Sequence, residues 1–248
     1  MRIILLLIIA VAGVSCGPPN QNSNSKSPKD TIPQLTPVFY PQTQGPFPAI
    51  LVLPQAVRDI TNEKFIGGKL AEEGYVAQVV PYVDRKFLGI FNDTARLDSF
   101  KKLVSENLAS LRARPRVDSD RIGVIGHSLG GYFVTYLASR SDDVGFRAGV
   151  IYYGVYDVPE QIKNLKVPIL AFQGDADFPE FIRHALDMEL IARDHKKQFE
   201  LVFFTRAHHG FQYGPHSDWA GPYDKAAIKN SWIRMITFLD EHVKRPHP

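Results

Sequence analysis

Three groups of residues in this chain have types and spacing suited to acyl transfer. The first is Gly126-His127-Ser128-Leu129-Gly130-Gly131, which fits G-x-S-x-G with an apolar stretch before it and a helical pattern after it. In that context the serine tops a sharp strand-to-helix turn with strained backbone angles. Side chains two residues either side would collide with the turn, so glycine is needed at Gly126 and Gly130. The turn exposes the serine hydroxyl and aims the amide of Leu129 at the reacting oxygen, where the helix start adds partial positive charge. The pattern alone is weak, because a chain of this length matches it by chance roughly one time in twelve at ordinary glycine and serine frequencies. The plain alternative is a glycine-rich turn that binds a phosphate or nothing, but the Gly-Lys-Ser/Thr of a nucleotide loop is missing.

A serine needs a base, and the base needs an acid to orient it. In chain order after an elbow serine these are Asp or Glu, then His. Gln173-Gly174-Asp175-Ala176-Asp177-Phe178-Pro179 follows one apolar stretch and offers two aspartates. Asp177 is preferred, because G-x-x-D followed by an apolar residue and proline is the usual form of this loop. Asp175 then caps the turn. Thr205-Arg206-Ala207-His208-His209-Gly210-Phe211 follows another apolar stretch and offers two histidines. His209 is preferred as base for its place in His-Gly-Phe, leaving His208 as a wall or packing residue. His127 ranks last, since its side chain should point away from Ser128 across the elbow. A metal held by His208, His209 and His216 is conceivable, but no helical pairing with a glutamate supports it. The second oxyanion donor should lie in Pro54-Gln55-Ala56-Val57. Pro54 has no N–H, so the amide of Ala56 is the candidate.

These loops need strands and helices to hold them. Apolar stretches at 49–53, 76–80, 121–125, 148–153, 167–172 and 199–204 read as strands. Helical spacing marks 61–73, 93–113, 129–140, 180–194 and 225–243. Gly74 fits the stop of the first of these, and Asn92 or Asp93 the cap of the second. Strand and helix alternate, and several strands are continuously apolar. That predicts an α/β fold with a mostly parallel central sheet, covered by helices on both faces, in a single domain from residue 33 to 248.

The 248 residues are 44% hydrophobic, enough for a core without disulfides. Net charge is +3 with no densely basic stretch, which argues against nucleic acid as partner. Residues 1–15 read as a signal peptide, with Arg2 ahead of an uncharged run of about a dozen residues, short of the roughly 20 that span a membrane. Cys16, the sole cysteine, excludes an internal disulfide. Small residues leading to that cysteine resemble a bacterial lipoprotein signal, in which the cysteine is acylated. Cleavage after Ala10-Val11-Ala12 is the competing reading. Residues 16–32 are polar and rich in proline, and read as a flexible tether. The expected location is therefore outside the cytoplasm, with membrane contact only through a lipid on Cys16.

Taken together, Phe47-Pro48-Ala49-Ile50-Leu51-Val52-Leu53, Leu70-Ala71-Glu72-Glu73-Gly74-Tyr75-Val76, the elbow, Gly174-x-x-Asp177 and His209-Gly210-Phe211 resemble the dienelactone hydrolase family over about residues 35–243. The resemblance implies an α/β-hydrolase fold and cleavage of small esters or lactones through an acyl-enzyme, with no cofactor. Two residues depart from the family. Ser128 stands where its namesakes carry cysteine, and Gln55 where they carry a glutamate. A serine esterase is therefore expected over the namesake lactone specificity. Arg85 or Lys86 could attract an anionic substrate, although both read as plain surface charges. Aromatic residues at 82–91, 153–159 and 211–223 suggest an apolar acyl or aryl group. Two rivals are a small peptidase of the prolyl oligopeptidase type, which usually carries an accessory domain, and a catalytically silent binding lipoprotein on the same fold.

Overall fold

The computed structural model describes residues 36–56, 59–81, 93–140, 145–212 and 222–245. Seven strands form one sheet in the order β1-β3-β2-β4-β5-β6-β7. They are β1 (Val38–Phe39), β2 (Phe47–Leu53), β3 (Val76–Val79), β4 (Val117–His127), β5 (Ala148–Tyr152), β6 (Ile169–Gly174) and β7 (Phe199–Phe204). All neighbours run parallel except β1, which lies antiparallel on β3. The helices are α1 (Thr61–Glu72), α2 (Thr94–Arg112), α3 (Leu129–Ala138), α4 (Pro159–Lys163), α5 (Pro179–Asp194) and α6 (Pro222–Leu239).

Strand alternation builds two cores. Ala49, Leu51 and Leu53 of β2 pack with residues of α2, α3 and α5 on one face, while Ile50 and Val52 pack with α1 and α6 on the other. Residues alternate sides along a strand, so a central parallel strand must be apolar at every position. The expected two-sided parallel sheet is the observed one. Asp93 caps α2, its side chain accepting from the Arg96 N–H at 3.1 Å. Gly74 closes α1 at φ 88.

Beyond shifts of a few residues at element ends, the structure differs from the sequence reading as follows. β4 starts at Val117, not 121, because Val117 pairs with Phe47 ahead of a register shift, across the turn-like Asp118-Ser119-Asp120. β1 has only two residues, too few to show a period. α4 is one turn with proline at its first position. The last helix stops at Leu239 and passes into a π turn over Asp240–Lys244. No described helix is long and apolar enough to cross a membrane. The leader, Cys16 and the tether lie outside the described residues.

Candidate active site

Ser128 sits between β4 and α3 at φ 50, ψ −110, a conformation a side-chain-bearing residue holds only under constraint. Its N–H donates to the Tyr152 carbonyl at 2.9 Å. Its carbonyl accepts from the Gly131 N–H at 2.9 Å and the Tyr132 N–H at 3.3 Å. A Cβ on Gly126 would lie 2.2 Å from the Gly130 carbonyl oxygen, and one on Gly130 would lie 2.1 Å from that of Leu53. Both positions therefore require glycine. The second contact also presses the elbow against the Leu53 and Pro54 carbonyls, where β2 passes into the loop that carries Gln55 and Ala56. Leu129, buried, opens α3.

The acid and base loops are stitched together. Asp175 N–H donates to the Phe204 carbonyl and Ala176 N–H to the Ala207 carbonyl, both at 3.1 Å. The Asp175 carboxylate accepts a short bond from the Arg206 N–H. Asp175 is exposed and joins the two loops. Asp177 is placed otherwise, with its side chain fully buried. Its Oδ1 accepts from the Phe178 N–H at 2.6 Å, and its Oδ2 accepts from Gln173 Nε2 at 2.6 Å. His209 Nδ1 lies 2.9 Å from the same Oδ2, and His209 Nε2 lies 3.2 Å from Ser128 Oγ.

Chemistry assigns the proton positions. An ionised carboxylate only accepts, so Nδ1 carries hydrogen and donates to Asp177. Nε2 then holds a lone pair facing the serine hydroxyl. Such a chain can draw a proton from Oγ as it attacks an electrophilic carbon.

Aromatic rings fix the imidazole. Phe181 lies 4.1 Å from the His209 ring centre, Tyr153 4.9 Å in an edge arrangement at 61°, and Phe178 6.1 Å. Tyr153 holds φ 41, a strained value for an aromatic residue. Burial pushes its hydroxyl well above the ordinary range, and the charge of the buried Glu63 adds to the shift. Tyr153 opens the aromatic stretch 153–159 expected to line the pocket, whereas Gln173 and Phe181 were missed by sequence reasoning. Gln173 left one signal, a lone polar side chain in the otherwise apolar body of β6.

The other candidates have other surroundings. His208 is 56% exposed in its side chain and holds Asp224 of α6, through its N–H at 2.9 Å and through Nδ1 at 3.2 Å. That bond ties the base loop to the start of α6. His127 is wholly buried and stacked on Tyr152 with ring centres 4.9 Å apart. Burial pulls its imidazole down from 6.5 to about 3. His216, Arg85 and Lys86 lie outside the described residues, as do 82–92 and 213–221. Among the described residues, no three His, Cys, Asp or Glu side chains gather as metal ligands would.

Comparison with known proteins adds the lineage. A human carboxymethylenebutenolidase homolog is 24% identical over 193 residues, covering 74% of this chain and 78% of its own. Among solved structures, a dienelactone hydrolase-like promiscuous phosphotriesterase from metagenomic libraries superposes with TM-score 0.64 at 22% identity, covering 81% of this chain and 88% of that one. The acylaminoacyl peptidase of Pyrococcus horikoshii superposes with TM-score 0.64 at 18% identity, but only 40% of that longer chain is covered. The model of the dienelactone hydrolase family matches residues 36–243, so the chain belongs to that family and is a hydrolase of the ester or lactone type.

Proposed function

We propose that the protein is a serine hydrolase that cleaves carboxylic esters or lactones through an acyl-enzyme on Ser128. The observation that carries this reading is the hydrogen-bonded chain Ser128–His209–Asp177, at 3.2 and 2.9 Å. Ser128 Oγ attacks the carbonyl carbon while His209 Nε2 takes its proton. The carbonyl electron pair moves to oxygen, and the amides of Leu129 and Ala56 receive it. As that pair returns, the bond to the alkoxide breaks, and the imidazolium gives the leaving oxygen its proton. Water repeats the sequence on the acyl group, with His209 again as base, and frees Ser128. Asp177 holds the imidazole tautomer and offsets its positive charge.

The test is covalent labelling with a fluorophosphonate probe. Wild-type protein should label, and Ser128→Ala should not. An unlabelled wild type would favour a silent binding protein on this fold. Turnover of N-acylated peptides in preference to esters would favour the peptidase reading.

We also propose that the enzyme is exported and tethered by acylated Cys16. The polar stretch 17–32 supports this, because a spacer frees an anchored domain from the membrane surface. The wild type should incorporate a palmitate analogue and sediment with membranes, and Cys16→Ser should do neither. A soluble, unlabelled wild type would leave cleavage after Ala12 as the account.

A further inference from the structure

The reaction fixes where the leaving group must lie. For His209 to return a proton, the departing oxygen has to sit within about 3 Å of Nε2. The group bonded to that oxygen then lies beside the neighbours of the imidazole. Two of them are phenylalanines on one turn. Phe181 is buried with its ring 4.1 Å from His209. Phe178 lies 6.1 Å from His209 and 6.4 Å from Phe181, and it is 52% exposed.

Single exposed apolar side chains are normal on protein surfaces. Phe178 differs in how firmly it is held. It precedes Pro179, which restricts it to the extended backbone it adopts at φ −60, ψ 139. Its N–H is bonded to Asp177 Oδ1 at 2.6 Å. The same turn that presents the carboxylate to His209 thus sets an exposed aromatic face beside that histidine.

We propose that Phe178, over a floor of Phe181, forms a leaving-group subsite that receives the apolar aryl or alkyl alcohol portion of an ester. It is a specificity determinant of the hydrolase reading above and rests on it. The step is the one already written, in which the alcohol departs protonated by His209 across this surface.

The test compares two acetates of closely matched alcohol basicity, 2-phenylethyl acetate and propyl acetate. The acyl group is then constant, and leaving-group chemistry does not confound the comparison. Wild-type protein should favour the phenylethyl ester in kcat/KM. Phe178→Ala should lower that preference about tenfold, the scale expected when one face of a ring loses its apolar contact. Phe178→Leu should recover most of it, and Ile233→Ala, an exposed apolar change on α6, should leave it as in the wild type. A preference unchanged in Phe178→Ala, with both esters turned over, overturns the subsite alone. Wild-type protein that hydrolyses neither ester overturns the subsite, and fluorophosphonate labelling of Ser128 then decides the hydrolase reading by itself.

Discussion

Asp175 and Asp177 are two residues apart on one turn, and their surroundings give them different tasks. Asp175 is exposed and bonded to the backbone of Arg206, whereas Asp177 is buried and bonded to His209, Gln173 and the Phe178 N–H. Asp177→Asn keeps the shape but places an amide where an acceptor is needed, so the wrong imidazole nitrogen can carry the proton. Turnover of an activated ester should fall by about a thousandfold or more. Asp175→Asn should cost far less, because its role is to brace two loops at the surface. A larger loss in Asp175→Asn would reverse the assignment, and kcat for both variants on one substrate decides it. That Ser128, Asp177 and His209 could meet was legible because each follows an apolar strand. Gln173 was not, and Tyr153 was legible only as pocket wall, because their importance lies in contacts made at the strand ends. Tyr153 reaches His209 from just past the end of β5, two strands away from β7, and nothing in its local sequence announces that edge contact.

The loops are held by close approach at the scale of elements. A Cβ on Gly174 would lie 2.1 Å from the Ala207 carbonyl oxygen, which itself accepts from the Ala176 N–H. The acid loop and the base loop are therefore in backbone contact, and Gly174 is the residue that permits it. Gly174→Ala should force them apart and move His209 relative to Ser128. A misplacement near 1 Å costs about a hundredfold in rate, and the strain should lower the melting temperature by several degrees. Gly68 makes the contrast, since a Cβ there meets nothing within 4 Å. Gly68→Ala in α1 should stabilise by about 0.5–1 kcal/mol and leave kcat unchanged. Activity and thermal melts of the pair separate the two roles, and equal behaviour would contradict them. The sequence marked Gly174 only as part of a turn. Its requirement comes from a partner 33 positions further on.

Most of the sheet was readable because burial on both faces leaves no polar alternation, and that pattern survives in single segments. β1 and α4 were not readable, because two-residue and one-turn elements draw their stability from the strand and helices they pack on. The same burial makes the whole molecule sensitive to acid. His127 is enclosed beneath the elbow, and its imidazole is pulled down from 6.5 to about 3 by burial. His184 on α5 is shifted in the same direction, by burial first and then by Arg183. In the unfolded chain both take up protons as pH falls below about 6.5. The folded chain leaves His127 neutral down to about 3. Between those limits the unfolded state binds more protons, so stability rises with pH and is lost on acidification. His127 alone sets a slope of up to about 1.4 kcal/mol per pH unit below pH 6. Denaturant midpoints measured from pH 4.5 to 7 should fall toward acid in the wild type. His127→Gln, whose amide never charges, should flatten that slope whatever its stability at neutral pH. A slope identical in the two proteins would mean that the acid sensitivity comes from other groups.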